Sequence, residues 1–449
     1  MAVVLRYIDA RGIVKERFFG IVYVTGTSSS ILKSAIDTLF VEHGLSLKQV
    51  RGQGYDGASN MHGEFNGLKA LILNENSSTY YIRYFAHQLQ LVVVAVANKH
   101  DGVENFFNML EMMINVVNAS CKRKDMLRQS YKDRVQEAIC KCEIDTGTGK
   151  YQELSLIRAG DTQWGSHYKT ILNLIVLFPN IVEVLRYVEE DGDNGFSRTQ
   201  ATGILAYFKT FDFVIYLHLM FHILEVTDLL SQALQKKDQD ILEAVSLIRG
   251  TKQLLQQFRE TGFHPLLKKM YSFCEANGIK ALDMEDRYSK NGRQRTNITN
   301  CHYYKFDIFN TVVDMQIQEF GNRFSEVSTE LLKNIAALSL CDSFSQFIVS
   351  DLLKLSELYP QDFSHMERIA LEKQLNMYYL IVRQDERFAN LSGIAELSIL
   401  LVETKKHKTY PLVYRLLKLA LVLPVATATV ERCFSAMKIV KSDFVQQNR

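Results

Sequence analysis

Arg51-Gly52-Gln53-Gly54-Tyr55-Asp56-Gly57-Ala58-Ser59-Asn60-Met61 is the stretch that decides how this sequence is interpreted. Val50 to Tyr55 predicts a short strand, and apolar residues at helical spacing from Phe65 to Ile72 predict a helix after it. A carboxylate at a strand end, flanked by glycines that let a metal or another backbone approach, suits hard-cation binding. Asp56 is therefore a candidate metal ligand, and a turn aspartate that accepts local N–H groups is the alternative.

Three glycines of this stretch, Gly52, Gly54 and Gly57, also satisfy the G-x-G-x-x-G pattern of dinucleotide-binding loops. A pyrophosphate loop needs neutral N–H groups around its ligand, and Asp56 would place an anion inside it. The strand before the loop is also not the first strand of a β-α-β unit. A nucleotide-dependent oxidoreductase is therefore the weakest function hypothesis, and calorimetry with NAD would test it.

Strands and helices alternate on both sides of this stretch. Val3 to Ile8 and Ile13 to Val24 predict a β-hairpin, because both runs are apolar or β-branched and turn residues separate them. The serines at 28–30 can cap a helix that stops at Gly44. Tyr80 to Phe85 predicts another strand, and His87 is expected to open a helix that is apolar on every side and hence buried.

Helical periodicity dominates from about residue 100 to residue 410. Polar breaks fall at Thr146–Lys150, Glu189–Ser197 and Arg287–Asn300. A last zone begins at Tyr410 and holds a short helix over Leu412 to Leu421, a break at Pro424 and a final amphipathic helix. Mixed elements at the start, helices in the middle and one last helix predict an α/β core interrupted by an all-α insertion.

Composition indicates an intracellular globular protein. Of the 449 residues, 47% are hydrophobic and 23% are charged, and the formal net charge of +2 neither favours nor excludes a polyanion partner. Seven cysteines, scattered along the chain, predict free thiols in a reducing compartment. The N-terminus lacks the features of a signal peptide, and the most apolar segments, Leu91–Ala97 and Phe213–Leu224, are too short to span a membrane. We expect no membrane partner.

Four segments, in family order, resemble motifs of hAT-type DDE transposases and their domesticated relatives, including zinc-finger MYM-type and THAP-linked proteins. The Asp56 stretch resembles the segment that carries the family's second catalytic aspartate. The Cys/His strand-to-helix motif is similar to Phe85-Ala86-His87-Gln88-Leu89-Gln90-Leu91. The Thr-Arg-Trp segment is similar to Asp161-Thr162-Gln163-Trp164-Gly165-Ser166-His167-Tyr168. The C-terminal dimerisation signature is similar to Leu423-Pro424-Val425-Ala426-Thr427-Ala428-Thr429-Val430-Glu431-Arg432-Cys433-Phe434-Ser435.

This resemblance implies a fold class: α/β, with a ribonuclease-H-like core interrupted by a large all-α insertion, and mostly helical overall. The expected parts are residues 1–100 for the N-terminal part of the core and 101–405 for the insertion. Residues 406–449 are expected to hold the C-terminal part of the core with a truncated hAT dimerisation region.

The resemblance also assigns catalytic roles. Family members hold two divalent metals with two aspartates and one glutamate, and paired metals neutralise the attacking and leaving oxygens of a phosphodiester displacement. Asp56 matches the second aspartate and Glu431 the glutamate, so both are candidate catalytic residues and weak metal ligands. The family's first aspartate lies ahead of a segment like Ala2 to Ile8, and Asp9 sits in a predicted turn. We expect an incomplete triad without activity and no cofactor, or Mg²⁺ or Mn²⁺ if the protein is active.

Two further positions depart from the family motifs. Tyr84 stands where the family has a cysteine three residues before the motif histidine, and Gln163 stands where it has an arginine. His87 is a candidate nucleic-acid contact, with a hydrogen-bonded core histidine as the alternative. Trp164 is the second candidate, because in active relatives this residue stacks on a flipped base; a core tryptophan is the alternative.

Basic clusters supply the remaining candidate contacts. Lys290, Arg293 and Arg295 lie in a predicted polar loop near Tyr288, where they could contact phosphates. For these residues, as for the cluster Lys122-Arg123-Lys124, a solvated surface is the alternative.

Two other groups resemble metal sites without completing one. His218 and His222 are spaced like metalloprotease ligands but lack the glutamate and a third ligand, so a packing role is expected. Cys140 and Cys142 form a lone C-x-C without zinc-ligand spacing.

The last apolar stripe is the candidate dimerisation surface, and its alternative is packing on the chain's own core. The candidates are Leu412, Leu416, Val430, Phe434 and Met437. The expected partner is a second copy or a related hAT-domain protein, and DNA is a further candidate partner. The resemblance thus favours a nuclear, domesticated or degenerate hAT protein that dimerises and contacts nucleic acid without catalysis. An active metal-dependent transposase or nuclease is the alternative.

Overall fold

The computed structural model describes residues 1–55, 61, 66–82, 84–140, 156, 164–192, 195–235, 241–290, 294–325, 330–338, 347–389, 391 and 393–424. The side chains of residues 138, 164–166, 290 and 294–296 lie outside that description. Two compact units divide the chain. Unit 1 comprises Met1–Leu89, Leu230–Gly250 and Arg323–Arg449, and unit 2 comprises Gln90–Leu229 and Thr251–Asn322. The predicted domain boundaries at residues 100 and 405 stay a prediction.

Helices make up most of the described chain, together with six short strands. The strands are β1 (Ala2–Ile8), β2 (Val14–Ile21), β3 (Gly52–Gln53), β4 (Tyr80–Tyr81), β5 (Arg287–Lys290) and β6 (Gln294–Thr299). The helices up to residue 277 are α1 (Ser29–Glu42), α2 (Leu68–Glu75), α3 (Phe85–Lys99), α4 (Asp101–Asn118), α5 (Cys121–Cys140), α6 (Trp164–Asp191), α7 (Gly195–Phe208), α8 (Phe211–Leu234), α9 (Ile241–Thr261) and α10 (Phe263–Asn277). The later helices are α11 (Asn300–His302), a π-helical segment (Tyr303–Asn310), α12 (Thr311–Arg323), α13 (Glu330–Ala336), α14 (Val349–Glu357), α15 (His365–Arg383), α16 (Ile394–Glu403), α17 (Lys406–Thr409) and α18 (Pro411–Leu421). One-turn 3₁₀ helices cover Leu47–Gln49 and Glu386–Phe388.

The N-terminal hairpin is confirmed. Strands β1 and β2 pair antiparallel from Ala2 opposite Ile21 to Ile8 opposite Val14. Asp9 closes the turn, because its carboxylate accepts the N–H groups of Arg11 at 3.0 Å and Ile13 at 2.9 Å. The Ile13 N–H, followed by that of Arg11, holds the pKa of Asp9 below its ordinary value. Asp9 therefore serves the turn.

Helix α1 has the limits that its sequence predicts. The Ser28 hydroxyl accepts the Ile31 N–H at the N-terminus, and Gly44 follows the C-terminus with a φ of 66°. The inner face of α1 joins an apolar cluster with α2 and the 3₁₀ helix before β3. The buried members are Leu32, Ile36, Phe40, Leu47, Leu68 and Ile72.

The two strands around the Asp56 stretch are shorter than predicted. Strands β3 and β4 pair parallel over two residues, Gly52 opposite Tyr80 and Gln53 opposite Tyr81. The prediction that a strand runs to Phe85 is wrong, because helix α3 begins there and the Gln88 N–H donates to the Tyr84 carbonyl. The mostly helical architecture is confirmed. The sheets within the described residues are three separate strand pairs.

Unit 2 is helical apart from the strand pair β5–β6, which the sequence did not predict. Helix α8 is its most buried part, with Phe213, Leu217 and Met220 fully enclosed. The predicted break at Glu189–Ser197 is confirmed between α6 and α7. The prediction of a polar loop over Arg287–Asn300 is wrong, because β5 and β6 form an antiparallel hairpin there.

Two helices are long and apolar enough to cross a membrane, α6 over His167–Asp191 and α8 over Phe211–Leu234. The apolar segment that the sequence marked in α8 is thus part of a longer helix than its apolar run suggested. The most apolar window of α8 is 72% buried inside the chain, and that of α6 is 50% buried. Burial of this extent is the behaviour of a core helix, so length and composition are weak grounds for a membrane span here.

Candidate functional site

Strand β3, which leads into the Asp56 stretch, lies directly against the segment Leu423–Pro424. A Cβ atom on Gly52 would come within 2.9 Å of Pro424 Cδ and 3.2 Å of Leu423 Cδ2. A Cβ atom on Gly54 would come within 2.9 Å of Pro424 Cγ. Only glycine allows this approach at both positions. Gly52 and Gly54, two of the three glycines that suggested a dinucleotide loop, therefore serve close packing; Gly57 lies outside the described residues.

Aromatic side chains fill the end of β3. The Tyr55 hydroxyl donates to Gln53 Oε1, and the Tyr55 ring stacks on Tyr81 with centroids 5.6 Å apart. Gln53 in turn donates from Nε2 to the Thr79 carbonyl at 2.9 Å. Burial raises the pKa of the Tyr55 hydroxyl well above its ordinary value, so it stays protonated. This end of β3 is a neutral, hydrogen-bonded layer.

Tyr84 occupies the position where hAT motifs carry a cysteine. Its hydroxyl donates to the Gly54 carbonyl at 2.5 Å, and its ring limits the space above Gly54. The position therefore fixes the backbone just ahead of Asp56. A phenol that donates to a carbonyl does not offer the ligand that a cysteine would offer to a metal.

Asp56 and Glu431, the candidate acids, lie outside the described residues. The structure does place the segments that lead to them in contact, Gly54 two residues before Asp56 and Pro424 seven residues before Glu431. The described side-chain oxygen atoms at this point, on Gln53, Tyr55 and Tyr84, are engaged in hydrogen bonds, and none of them is a carboxylate. A Mg²⁺ or Mn²⁺ ion here would therefore depend on the two acids themselves.

An ion pair that the sequence analysis did not anticipate fixes the start of β3. Arg51 donates from Nε and Nη2 to the two carboxylate oxygens of Asp362, at 2.5 and 3.1 Å. Arg415 on α18 donates to the Asp362 carbonyl at 2.5 Å and to Glu367 Oε1 at 2.9 Å. Two arginines thus converge on the loop before α15. Nothing in the local sequence pattern signals this pairing, because its partners lie 311 residues apart.

Tyr80 adds a second link to the same loop. Its hydroxyl donates to the Leu358 carbonyl at 2.9 Å, and its ring meets that of Tyr359 edge-on with centroids 5.1 Å apart. Burial raises the pKa of the enclosed Tyr359 hydroxyl far above its ordinary value. Strands β3 and β4 are therefore both anchored to residues 358–362.

Of the candidate nucleic-acid contacts, the structure describes the side chain of His87 alone. His87 is half-buried on α3, and Trp164 is the first residue of α6, although its side chain lies outside the description. Lys290 ends β5 and Arg295 lies in β6, and their side chains are also outside it. Arg293 lies outside the described residues. Their roles stay predictions.

The basic cluster at the start of α5 is not simply a solvated surface. Arg123 is buried and donates to the Val116 carbonyl at 2.8 Å, and Lys122 donates to the Tyr187 hydroxyl at 2.7 Å. These two cations therefore support the helix packing of unit 2.

The histidine pair of α8 has the packing role that the sequence predicts. His218 is buried, with Nδ1 2.9 Å from the Val214 carbonyl, and His222 lies on the Phe258 ring with centroids 3.9 Å apart. Burial lowers the pKa of both imidazoles. Among the described residues, no group of three or more His, Cys, Asp and Glu side chains could hold a metal ion.

Leu412 and Leu416, two of the candidate dimerisation residues, are buried inside unit 1 on α18. The Leu412 N–H donates to Gln374 Oε1 of α15 at 3.0 Å. Their side chains thus pack on the chain's own helices, the alternative that the sequence left open. The other three candidates, Val430, Phe434 and Met437, lie outside the described residues.

Taken together, these contacts define a class: a mostly helical protein in which one compact unit is closed by an N-terminal strand-and-helix segment and a C-terminal helix. Arg6 of β1 donates to the Leu421 carbonyl at 2.8 Å, and Gly52 lies against Pro424.

Comparisons with known proteins show which families this chain resembles. Residues 1–67 match the family model DUF4371, described as ZMYM1/FAM200, RNase-like domain. Residues 374–447 match the hAT family C-terminal dimerisation region. The chain is also similar to the human "52 kDa repressor of the inhibitor of the protein kinase", with 21% identity over 468 residues that cover 98% of this chain and 57% of that protein. The chain thus spans little more than half the length of that relative. These matches support an hAT-derived origin for the chain.

Proposed function

We propose that this chain is a domesticated hAT protein that works by pairing with a second copy or with a related hAT protein. The match of residues 374–447 to the hAT dimerisation region carries this proposal. Helices α15, α16 and α18, which lie wholly or partly inside that region, form a packed group with buried inner faces. A packed helical group is a rigid platform for an interface.

Light scattering after size exclusion tests the pairing. We expect a mass near twice the chain's 51.6 kDa at micromolar concentration, with dissociation on dilution. A monomer at every concentration would overturn self-pairing. Light scattering of a mixture with a related hAT protein would then test whether the chain pairs with that protein instead.

The core beneath this platform is, in our proposal, a divergent ribonuclease-H-like one. The RNase-like description of the model that matches residues 1–67 supports it. The packing of β3 on Leu423–Pro424 also supports it, because it joins the segments that lead to the two candidate acids.

The same core is proposed to be catalytically inactive. Asp9 is engaged by two N–H groups of its turn, Tyr84 uses its hydroxyl on the Gly54 carbonyl, and Gln163 replaces the family's arginine. A metal-dependent DNA cleavage assay with Mg²⁺ and with Mn²⁺ tests this. We expect equal background for the unmodified chain and for the variants Asp56→Ala and Glu431→Ala. Cleavage that these variants abolish would establish an active enzyme instead.

Nuclear action with nucleic-acid contact completes the proposal. The name of the human relative describes a repressor, which supports a regulatory rather than a transposing role. A fluorescent fusion should concentrate in the nucleus. Binding to DNA should weaken as salt rises, and the double variant Arg293→Ala/Arg295→Ala should weaken it further. DNA binding that does not depend on salt would contradict the proposed nucleic-acid contact alone. A fusion signal that is spread uniformly through the cytoplasm would contradict the proposed nuclear location alone.

A further inference from the structure

Helix α15 has an apolar outer face as well as an apolar inner one. Its inner residues Leu371, Leu375, Tyr378 and Val382 are buried in unit 1. On the outer face, five large apolar side chains remain between 40% and 73% exposed: Met366, Ile369, Met377, Leu380 and Ile381. We call these five residues the outer stripe.

The outer stripe is unusual for a helix at a protein surface. A helix that packs on a core by one side ordinarily presents polar residues on the other, and contiguous exposed apolar side chains mark interaction sites. At 100° per residue, Met366, Ile369, Met377 and Leu380 all fall on the side of α15 opposite Leu375. These four residues therefore share one face of α15, with Lys373 at its centre.

The spacing of the stripe is symmetric about Lys373. Met366 and Leu380 lie seven residues before and after it, and Ile369 and Met377 lie four residues before and after it. In an antiparallel pair of identical helices centred there, each of these residues meets an apolar residue of the other copy.

The charges at the centre fit the same arrangement. Glu372 and Lys373 are both exposed, and neither forms a hydrogen bond or ion pair with any residue that the structure describes. A two-fold axis at residue 373 places the two copies of Lys373 together, with the Glu372 of the other copy beside each lysine. A glutamate thus lies near each lysine at the centre of the pair.

We propose that the outer stripe of α15 is the surface on which a second copy of this chain docks, with the two α15 helices antiparallel. This inference rests on the proposed function, pairing of the chain, and assigns it a face. Met377, Leu380 and Ile381 lie within residues 374–447, so the stripe is continuous with the region matched to hAT dimerisation.

Charged substitution in the stripe tests the surface. Sedimentation velocity of Leu380→Glu should show self-association weakened by at least roughly tenfold, because a charge replaces the apolar side chain that meets Met366 of the other copy. Val41→Glu on α1 is the matched control, since Val41 is exposed on the same unit outside the stripe, and it should pair like the unmodified chain. A monomeric unmodified chain would overturn the proposed function. A dimer that Leu380→Glu leaves intact would overturn only the α15 surface.

Single added cysteines test the antiparallel arrangement. Lys373→Cys should form a covalent dimer with a short bifunctional maleimide, because the two copies of residue 373 meet at the axis. Met366→Cys should add nothing to the background of the unmodified chain, since its two copies lie about 21 Å apart along the pair. Strong cross-linking of Met366→Cys would overturn the antiparallel pairing. If the chain's own residues covered the stripe, the protein would be a monomer in which Lys373→Cys is protected from the maleimide, and that result would overturn the pairing as well.

Discussion

Gly12 shows at the scale of one residue how the N-terminal hairpin is held. Its φ of 81° lies in the left-handed region, and a Cβ atom there would lie 2.6 Å from the Ser398 carbonyl oxygen. Gly12→Ala should lower the free energy of unfolding by about 2–4 kcal/mol, since both the backbone and the contact oppose a side chain. Urea denaturation followed by circular dichroism measures it.

Gly44 provides the matched control for Gly12. Its φ is 66°, but no atom lies within 4 Å of a Cβ built on it. Gly44→Ala should therefore cost only the backbone part, about 1 kcal/mol. Equal losses for the two variants would show that the contact with Ser398 contributes nothing.

Glu367 gives a residue-scale prediction on acidity. The Ser364 N–H and then the Arg415 guanidinium lower the pKa of its carboxyl from the ordinary 4.5 to about 2. A depressed folded-state pKa contributes stability that is present above pH 4.5 and lost as the pH falls through 2. Glu367→Gln should therefore flatten the fall of the thermal midpoint in this window.

The control for Glu367 lies on the neighbouring helix α16. Glu403 is exposed and its side chain makes no hydrogen bond or ion pair with a described residue, so Glu403→Gln should leave the acid profile as it is. If both substitutions changed the profile alike, the contacts of Glu367 would not be its cause.

At the scale of elements, the hairpin β5–β6 packs on the π-helical segment through the aromatic ring of Tyr288. Tyr288 stacks on Tyr303 of the π-helical segment, with centroids 3.7 Å apart and planes 15° apart. An isolated two-stranded hairpin is marginal in water. Tyr288→Ala should therefore raise deuterium uptake in the peptide Arg287–Thr299, as measured by mass spectrometry. Tyr23→Ala, at an exposed position in unit 1, should leave that peptide unchanged.

Local sequence signals predicted some elements well and others poorly. The first hairpin and α1 were predicted because their turn and cap residues act on near neighbours. The hairpin β5–β6 was missed, since polar residues dominate it and its support comes from Tyr303. Strand β3 was predicted too long because apolar composition does not reveal how many residues find a partner.

The candidate site shows the same limit. Motif order placed Asp56 and Glu431 in one site, and the structure joins Gly54 to Pro424, the segments ahead of them. The anchor of that site, Arg51 with Asp362, has no sequence signature because the pairing depends on the complete fold. The two acids themselves lie outside the described residues and stay predictions.

At the scale of the whole molecule, the Arg51–Asp362 pair should matter more than an ordinary ion pair. Its side chains are only 14% and 19% exposed, and two hydrogen bonds join them. Arg51→Ala should lower the free energy of unfolding by about 2–4 kcal/mol, because it leaves a carboxylate shielded from water. Arg51→Lys should rescue only part of the loss, since an ammonium cannot form the two parallel bonds. Urea midpoints of the variants measure both effects.

Arg259 and Asp314 form the comparison pair. They are joined by two similar bonds, at 2.9 and 3.1 Å, but their side chains are 37% and 54% exposed. Asp314→Asn should cost less than about 1 kcal/mol, because water screens the charges. Equal costs at the two sites would show that burial does not set the strength of the Arg51 pair.

The contact between Arg6 and the Leu421 carbonyl also has a consequence for biosynthesis. Its partners lie 415 residues apart, and Pro424, on which Gly52 packs, is likewise synthesised long after Gly52. At ribosomal speeds of 5–20 residues per second, the first hairpin leaves the exit tunnel roughly 20–80 s before its carbonyl partner is made. During that interval the nascent chain exposes the surfaces of β1 and β3. Unit 1 therefore cannot complete these contacts until Leu421 and Pro424 have been synthesised, and we expect chaperones to shield β1 and β3 until then.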